Sequence, residues 1–122
     1  MTLSVFDIFK IGVGPSSSHT MGPMRAAREF ALGLKRDGLL ARTQEIVVRL
    51  YGSLALTGHG HGTDRAILLG LEGAEPETVE PDSMEPTVLR IRTTGRLKVL
   101  GEHETAFDEP MQLLFMRAER LP

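Results

Sequence analysis

Two histidines two residues apart, His59 and His61, sit in the run Gly58-His59-Gly60-His61-Gly62-Thr63-Asp64, each flanked by glycine. An imidazole titrates near neutrality, so it can take up and return a proton in a reaction at ordinary pH. Glycine lets the backbone come close to a ligand. The loop therefore reads as a general-base site, with His59 and His61 equally eligible on chemistry alone, although the same residues would also suit a plain surface turn. Two histidines fall short of the three or four ligands that zinc takes, and Asp64 or Asp108 as a third has little in the spacing to recommend it.

A second cluster, Ser16-Ser17-Ser18-His19-Thr20, follows Gly12-Val13-Gly14-Pro15 and directly precedes the strongest helical pattern. Its hydroxyls, with the unpaired amides of a helix start, could hold a carboxylate or phosphate. Ser and Thr also crowd at such places because they cap helices. The run lacks the Gly-x4-Gly-Lys order of a nucleotide loop. None of its serines stands in a Gly-x-Ser-x-Gly elbow. His103, isolated in a polar stretch, reads as an exposed residue. Tyr51 reads as packing, and Met111, Phe115 and Met116 as core or interface.

These loops need elements to carry them. Met24, Ala27, Phe30, Ala31 and Leu34 recur at helical spacing and predict a helix from about Met21 to Lys35, stopped by Asp37-Gly38. Alternating Ile46, Val48 and Leu50 predict a strand over Glu45 to Tyr51, which would deliver the chain to the histidine loop. Thr63-Asp64 can cap a second helix running through Ala66-Ile67-Leu68-Leu69 toward Gly73, apolar enough to be packed on more than one side. Ala74 to Pro81 is a surface connection. A third, short helix is expected from Asp82 or Glu85 to Gly95, with Pro86 in its first turn. Leu97 to Leu100 and Leu113 to Met116 suggest short strands, with a turn at Asp108-Glu109-Pro110 between them. Leu3 to Ile11 fits a short helix or an extended piece. This order points to an α+β fold, a two-layer α/β sandwich, in one domain over residues 1–122.

With 41% hydrophobic and 25% charged residues, the chain has the make-up of an ordinary folded globule. Its formal charge of -2 offers no general field for nucleic acid. Eleven of its 14 basic residues are Arg, whose guanidinium forks onto carboxylates, which suits anionic ligands or ion pairs and fits a coding bias as well. No run of 18 apolar residues suggests a membrane span, and the opening lacks a basic n-region, so a cytoplasmic location is the expectation. With 0 Cys, the chain has no thiol for a disulfide, a nucleophile or a cluster ligand.

The stretch Ser4-Val5-Phe6-Asp7-Ile8-Phe9-Lys10-Ile11 through Gly14-Pro15-Ser16-Ser17-Ser18-His19-Thr20-Met21-Gly22-Pro23 resembles the start of bacterial iron-sulfur L-serine dehydratases. The stretch from Tyr51-Gly52-Ser53 through Asp64 looks like that family's second signature. The resemblance covers essentially the whole chain and implies the smaller beta domain, similar to an allosteric substrate-binding domain of some phosphoglycerate dehydrogenases. It implies conversion of L-serine to pyruvate and ammonia. A larger alpha domain, in the same polypeptide or on a partner chain, would hold a 4Fe-4S cluster whose open iron acts as Lewis acid on the serine hydroxyl. Carried over by residue, the resemblance makes His61 the base that takes the α-proton and His19 a second catalytic or orienting histidine. Ser16, Ser17, Ser18 and Thr20 would bond the substrate or order their loop, with His59, Thr63 and Asp64 behind them.

No metal ligand is expected on this chain itself. The chain stops at Pro122, where the family continues into the cluster domain, so a fragment of a longer chain, or failing that a two-subunit form, is expected. As a fragment it would be inactive alone, and a homodimer is expected. Two other readings compete: a regulatory module that binds serine or another small anion without moving a proton, and a dimerisation domain with incidental histidines. The second predicts that His19 and His61 face unrelated surfaces.

Overall fold

The computed structural model describes residues 3–5, 21–50 and 62–115. The first described segment is a short strand, β1 (Leu3–Val5); the rest of the stretch from Leu3 to Ile11 lies outside the described residues. Helix α1 (Met21–Arg36) follows the expected spacing, with Met24, Ala27, Ala31 and Leu34 buried and Arg25, Glu29, Lys35 and Arg36 exposed. Lys35 and Arg36 occupy its last turn, where a positive charge suits the helix dipole. The chain then turns at Asp37-Gly38, with the Leu39 amide donating back to the Leu34 carbonyl at 2.8 Å.

After a 3-10 turn at Leu40–Arg42, the expected strand arrives in two pieces, β2 (Thr43–Ile46) and β3 (Val48–Leu50). The break at Val47 has a pairing reason. β2 pairs in parallel with β1, while β3 pairs in parallel with β6 (Leu113–Phe115), with Val48 opposite Leu113. One extended run thus serves two partners, and Ile46, Val48 and Leu50 still point to the same core, each fully buried.

Helix α2 (Thr63–Leu71) is buried from Ala66 to Leu71, as its unbroken apolar centre predicts. It lies so close to α1 that a Cβ on Gly70 would stand 2.2 Å from the Met24 carbonyl oxygen and 2.9 Å from the Ala27 Cβ. Gly70, facing Ala27 of α1, sets this approach, and a larger residue would have to push the helices apart. Helix α3 (Pro81–Thr94) is longer than expected: it starts at Pro81, and Pro86 lies inside it rather than in its first turn. Of its residues only Val88 and Ile91 are buried.

β4 (Arg96–Val99) and β5 (His103–Ala106) form an antiparallel hairpin with Val99 opposite His103. β5 carries few apolar residues, which is why the periodicity does not announce it. Its inward Thr105 donates to the Gln44 carbonyl at 2.6 Å, and His103 Nε2 lies 2.6 Å from the Thr43 carbonyl, so the hairpin is tied side-on to β2. His103 is therefore half-buried and engaged rather than exposed, because its ring bridges two strands. The turn expected at Asp108-Glu109-Pro110 opens a single-turn helix, α4 (Glu109–Gln112), that leads into β6. Met111 on it is 70% exposed and so is not core. Helices plus small sheets around one apolar cluster make an α+β fold.

Candidate functional site

The structure describes the edges of the two motif stretches: Ser4-Val5 and Met21-Gly22-Pro23 of the first, and the start of α2 in the second. His59 and His61, like His19, Ser16, Ser17, Ser18 and Thr20, lie outside the described residues, as does Tyr51. Gly62, Thr63 and Asp64 are described. Gly62 caps α2 at φ 79, a left-handed backbone for which glycine has no steric penalty, and its carbonyl accepts from the Ala66 amide at 3.0 Å. Thr63 is fully buried.

Asp64 has both carboxylate oxygens engaged. Oδ1 accepts from the Arg65 amide at 2.9 Å, within the helix's own first turn, where a negative charge suits the dipole. Oδ2 accepts from Arg92 Nη2 at 3.1 Å. Arg92 in turn forks onto Glu109, with Nε to Oε1 at 2.8 Å and Nη2 to Oε2 at 3.0 Å. The guanidinium thus joins the first turn of α2, the last turn of α3 and the first turn of α4. Each charge stands at the helix end whose dipole favours it.

Arg92 is held cationic even more firmly than an ordinary arginine. The hydrogen bond with Glu109 is the largest cause, partly offset by burial, with the Coulombic pull of Glu109 and Asp64 adding to it. Planarity matters here, because a guanidinium can face two carboxylates at once where an ammonium serves as a point charge. Neither Arg92 nor Glu109 stood out in the sequence. Glu109-Pro110 after Asp108 was the available signal, since an acidic residue and Pro at the first positions mark a helix start.

Beside the network lies a cleft of about 420 Å³ lined by Ile91, Arg92, Phe107, Glu109, Pro110 and Gln112 among others. Among the described residues that line it there is no histidine. A second groove, of about 560 Å³, lies at the seam of β2 and β5, where His103 bonds to backbone. Among the described residues no group of three His, Asp or Glu side chains is gathered to hold a metal ion. Asp64, considered above as a third metal ligand, instead spends its oxygens on Arg92 and the Arg65 amide. Among the described residues no helix is long and apolar enough to cross a membrane.

Comparison with known proteins places these features in a family. Residues 4–122 match the family described as serine dehydratase beta chain, a span that includes both loops. The L-serine dehydratase of Streptomyces coelicolor is 52% identical over 122 residues, which is 100% of this chain and 27% of that protein. The L-serine dehydratase of Mycobacterium bovis is 54% identical over 101 residues, 83% of this chain and 22% of that protein. L-serine dehydratase 2 of Escherichia coli is 52% identical over 106 residues, 86% of this chain and 23% of that protein. The chain thus spans about a quarter of the length of these relatives. A match along nearly the whole chain, through both signature loops, means that it belongs to the serine dehydratase beta-chain family.

Proposed function

We propose that this chain is the substrate-handling half of an L-serine ammonia-lyase, which converts L-serine to pyruvate and ammonia. The observation that carries the proposal is identity of about half to L-serine dehydratases over the full chain, which is itself only 27% of the first of them. In this reading His61 takes the α-proton of L-serine. The Cα–H electron pair forms the Cα–Cβ double bond as the Cβ–O bond breaks, and the hydroxyl leaves as water with one added proton. The aminoacrylate tautomerises to the imine, and water then hydrolyses it to pyruvate and ammonia. His19 orients the substrate or shares the proton, and Ser16, Ser17, Ser18 and Thr20 supply hydrogen bonds to its carboxylate or order their loop. His59, Thr63 and Asp64 stand behind these groups. The burial of Thr63 and the doubly engaged carboxylate of Asp64 support that supporting role.

A 4Fe-4S cluster does not fit this chain: thiolates hold such clusters, and the sequence has 0 Cys. The cluster of the resembled family therefore belongs to an alpha domain, in cis or on a second subunit, and the active site forms between the two. On this reading the present chain is part of a longer cytoplasmic enzyme, inactive alone, and the enzyme is a homodimer.

The test uses the complete enzyme, this domain with its cluster-bearing partner, reconstituted without oxygen and assayed for pyruvate release from L-serine. His61→Ala at wild-type cluster content is expected to abolish turnover, while His59→Ala retains a substantial part. Near-wild-type turnover by His61→Ala would remove the base assignment and favour a regulatory serine-binding module.

A further inference from the structure

We propose that the outer edge of β5 is where two copies of this chain meet, as an antiparallel strand pair in which Glu104 of each copy lies opposite Ala106 of the other. It gives the homodimer of the reading above its contact surface, and rests on that reading. The Phe107 amide donates to the Gly95 carbonyl at 2.8 Å, and the ladder sets Leu97 opposite Thr105 and Val99 opposite His103. Hydrogen-bonded pairs alternate in an antiparallel ladder. The main-chain groups of Arg96 and Lys98 on β4, and of Glu104 and Ala106 on β5, therefore point away from the hairpin.

The fold treats these two edges differently. On β4 the Lys98 amide donates to Glu72 Oε2 at 2.7 Å and the Arg96 amide to the Thr94 hydroxyl at 3.2 Å. The Lys98 carbonyl accepts from the Gly101 amide at 3.0 Å, so this edge is closed by its own fold. On β5, among the described residues, no hydrogen bond reaches the main-chain amide or carbonyl of Glu104 or Ala106. Both residues are exposed, and both line the groove of about 560 Å³ at the seam with β2. An open strand edge is a template for another strand.

Charge selects the occupant and the register. Lys98 stands opposite Glu104 and Arg96 opposite Ala106, on the face away from buried Leu97, Val99 and Thr105, and Arg96 Nε reaches Glu104 diagonally at 2.9 Å. Setting Glu104 opposite Ala106 of a second copy brings Glu104 and Ala106 of both copies into hydrogen-bonded pairs. Each carboxylate then stands in a row between its own Lys98 and Arg96 of the second copy, with only the small Ala106 side chain between. Sliding one strand by two residues either way puts Glu104 against Glu104 or Asp108 of the second copy, and like charges directly opposite disfavour pairing.

Sedimentation equilibrium gives the dimer dissociation constant of this chain, which closes a core of its own, and the mass of the complete, cluster-loaded enzyme. Both are expected to be dimers. Ala106→Pro removes an amide that the β4–β5 ladder does not use, and Glu104→Lys sets like charges beside Arg96 and Lys98. Each should weaken the chain's dimer about 10-fold or more, with circular dichroism unchanged, since either change acts twice across a two-fold axis. Glu104→Lys combined with Arg96→Glu and Lys98→Glu restores the alternation and should return the constant to within about threefold of wild type. Should Ala106→Pro fail to fold, Glu104→Lys and its charge-reversed counterpart decide. Constants within about twofold of wild type for the folded variants, or a charge-reversed chain as weak as Glu104→Lys, would overturn the inference. So would a chain that stays monomeric while the complete enzyme is a dimer. These outcomes sink this inference alone, whereas a monomeric complete enzyme sinks the homodimer reading together with it.

Discussion

The Gln112 side-chain amide donates to the Ile46 carbonyl at 3.0 Å, at the point where β2 gives way to β3. Its oxygen accepts from the Asp108 amide at 2.7 Å, tying the end of the single turn α4 back to its start. One buried amide thus satisfies the strand break and orients the turn that carries Glu109 to Arg92.

Gln112→Leu keeps the volume and removes both hydrogen bonds. The buried Ile46 carbonyl loses its partner at a cost of about 1–3 kcal/mol, whereas the amide of exposed Asp108 can turn to water. Urea unfolding should show a midpoint lowered accordingly, with an unchanged slope. An unaltered midpoint would mean that water replaces the amide without loss.

Gly70→Ala asks for a methyl 2.2 Å from the Met24 carbonyl oxygen, which is backbone and cannot rotate away. The gain in helix propensity, about 1 kcal/mol, is smaller than the cost of separating α1 from α2. A net loss of about 2 kcal/mol or more is expected in denaturant titration. Stabilisation would show that the helices separate freely.

Ile67→Ala deletes part of a fully buried side chain in the middle of α2. The lost transfer energy and the cavity together predict about 2–5 kcal/mol of destabilisation, read from thermal or urea unfolding. A smaller loss would indicate that α1 and β4 collapse onto the space.

Two glutamates of the same charge should behave differently. The Glu72 side chain is 12% exposed, pairs with Arg90 and accepts the Lys98 amide at 2.7 Å, so it clamps α3 to β4. Glu102 is 47% exposed and pairs with Lys35 at 2.6 Å on the surface. Glu72→Ala should cost about 1–2 kcal/mol, since it removes the hydrogen bond to the Lys98 amide as well as the ion pair with Arg90. Glu102→Ala should cost less than about 1 kcal/mol, and added salt should erase most of that. Equal losses in a side-by-side unfolding series would contradict this ordering.

Much of this protein was legible before its fold. The spacing of Met24, Ala27, Ala31 and Leu34 is enough to place α1, and the unbroken run from Ala66 to Leu71 enough to bury α2 on more than one side, because helical period and hydrophobicity are local properties of the chain. The two loop motifs likewise pointed to the family to which the chain belongs. What the local pattern did not carry was decided by contacts between distant residues. β5 is mostly polar and became a strand because β4 supplies its ladder and β2 receives His103 and Thr105. The strand over residues 43–50 divides at Val47 because two different strands claim its halves. Arg92 meets Asp64 across 28 residues and Glu109 across 17. Such a meeting of helix ends leaves no periodic trace in sequence, since each residue locally satisfies only its own helix dipole and the pairing exists once the helices are packed.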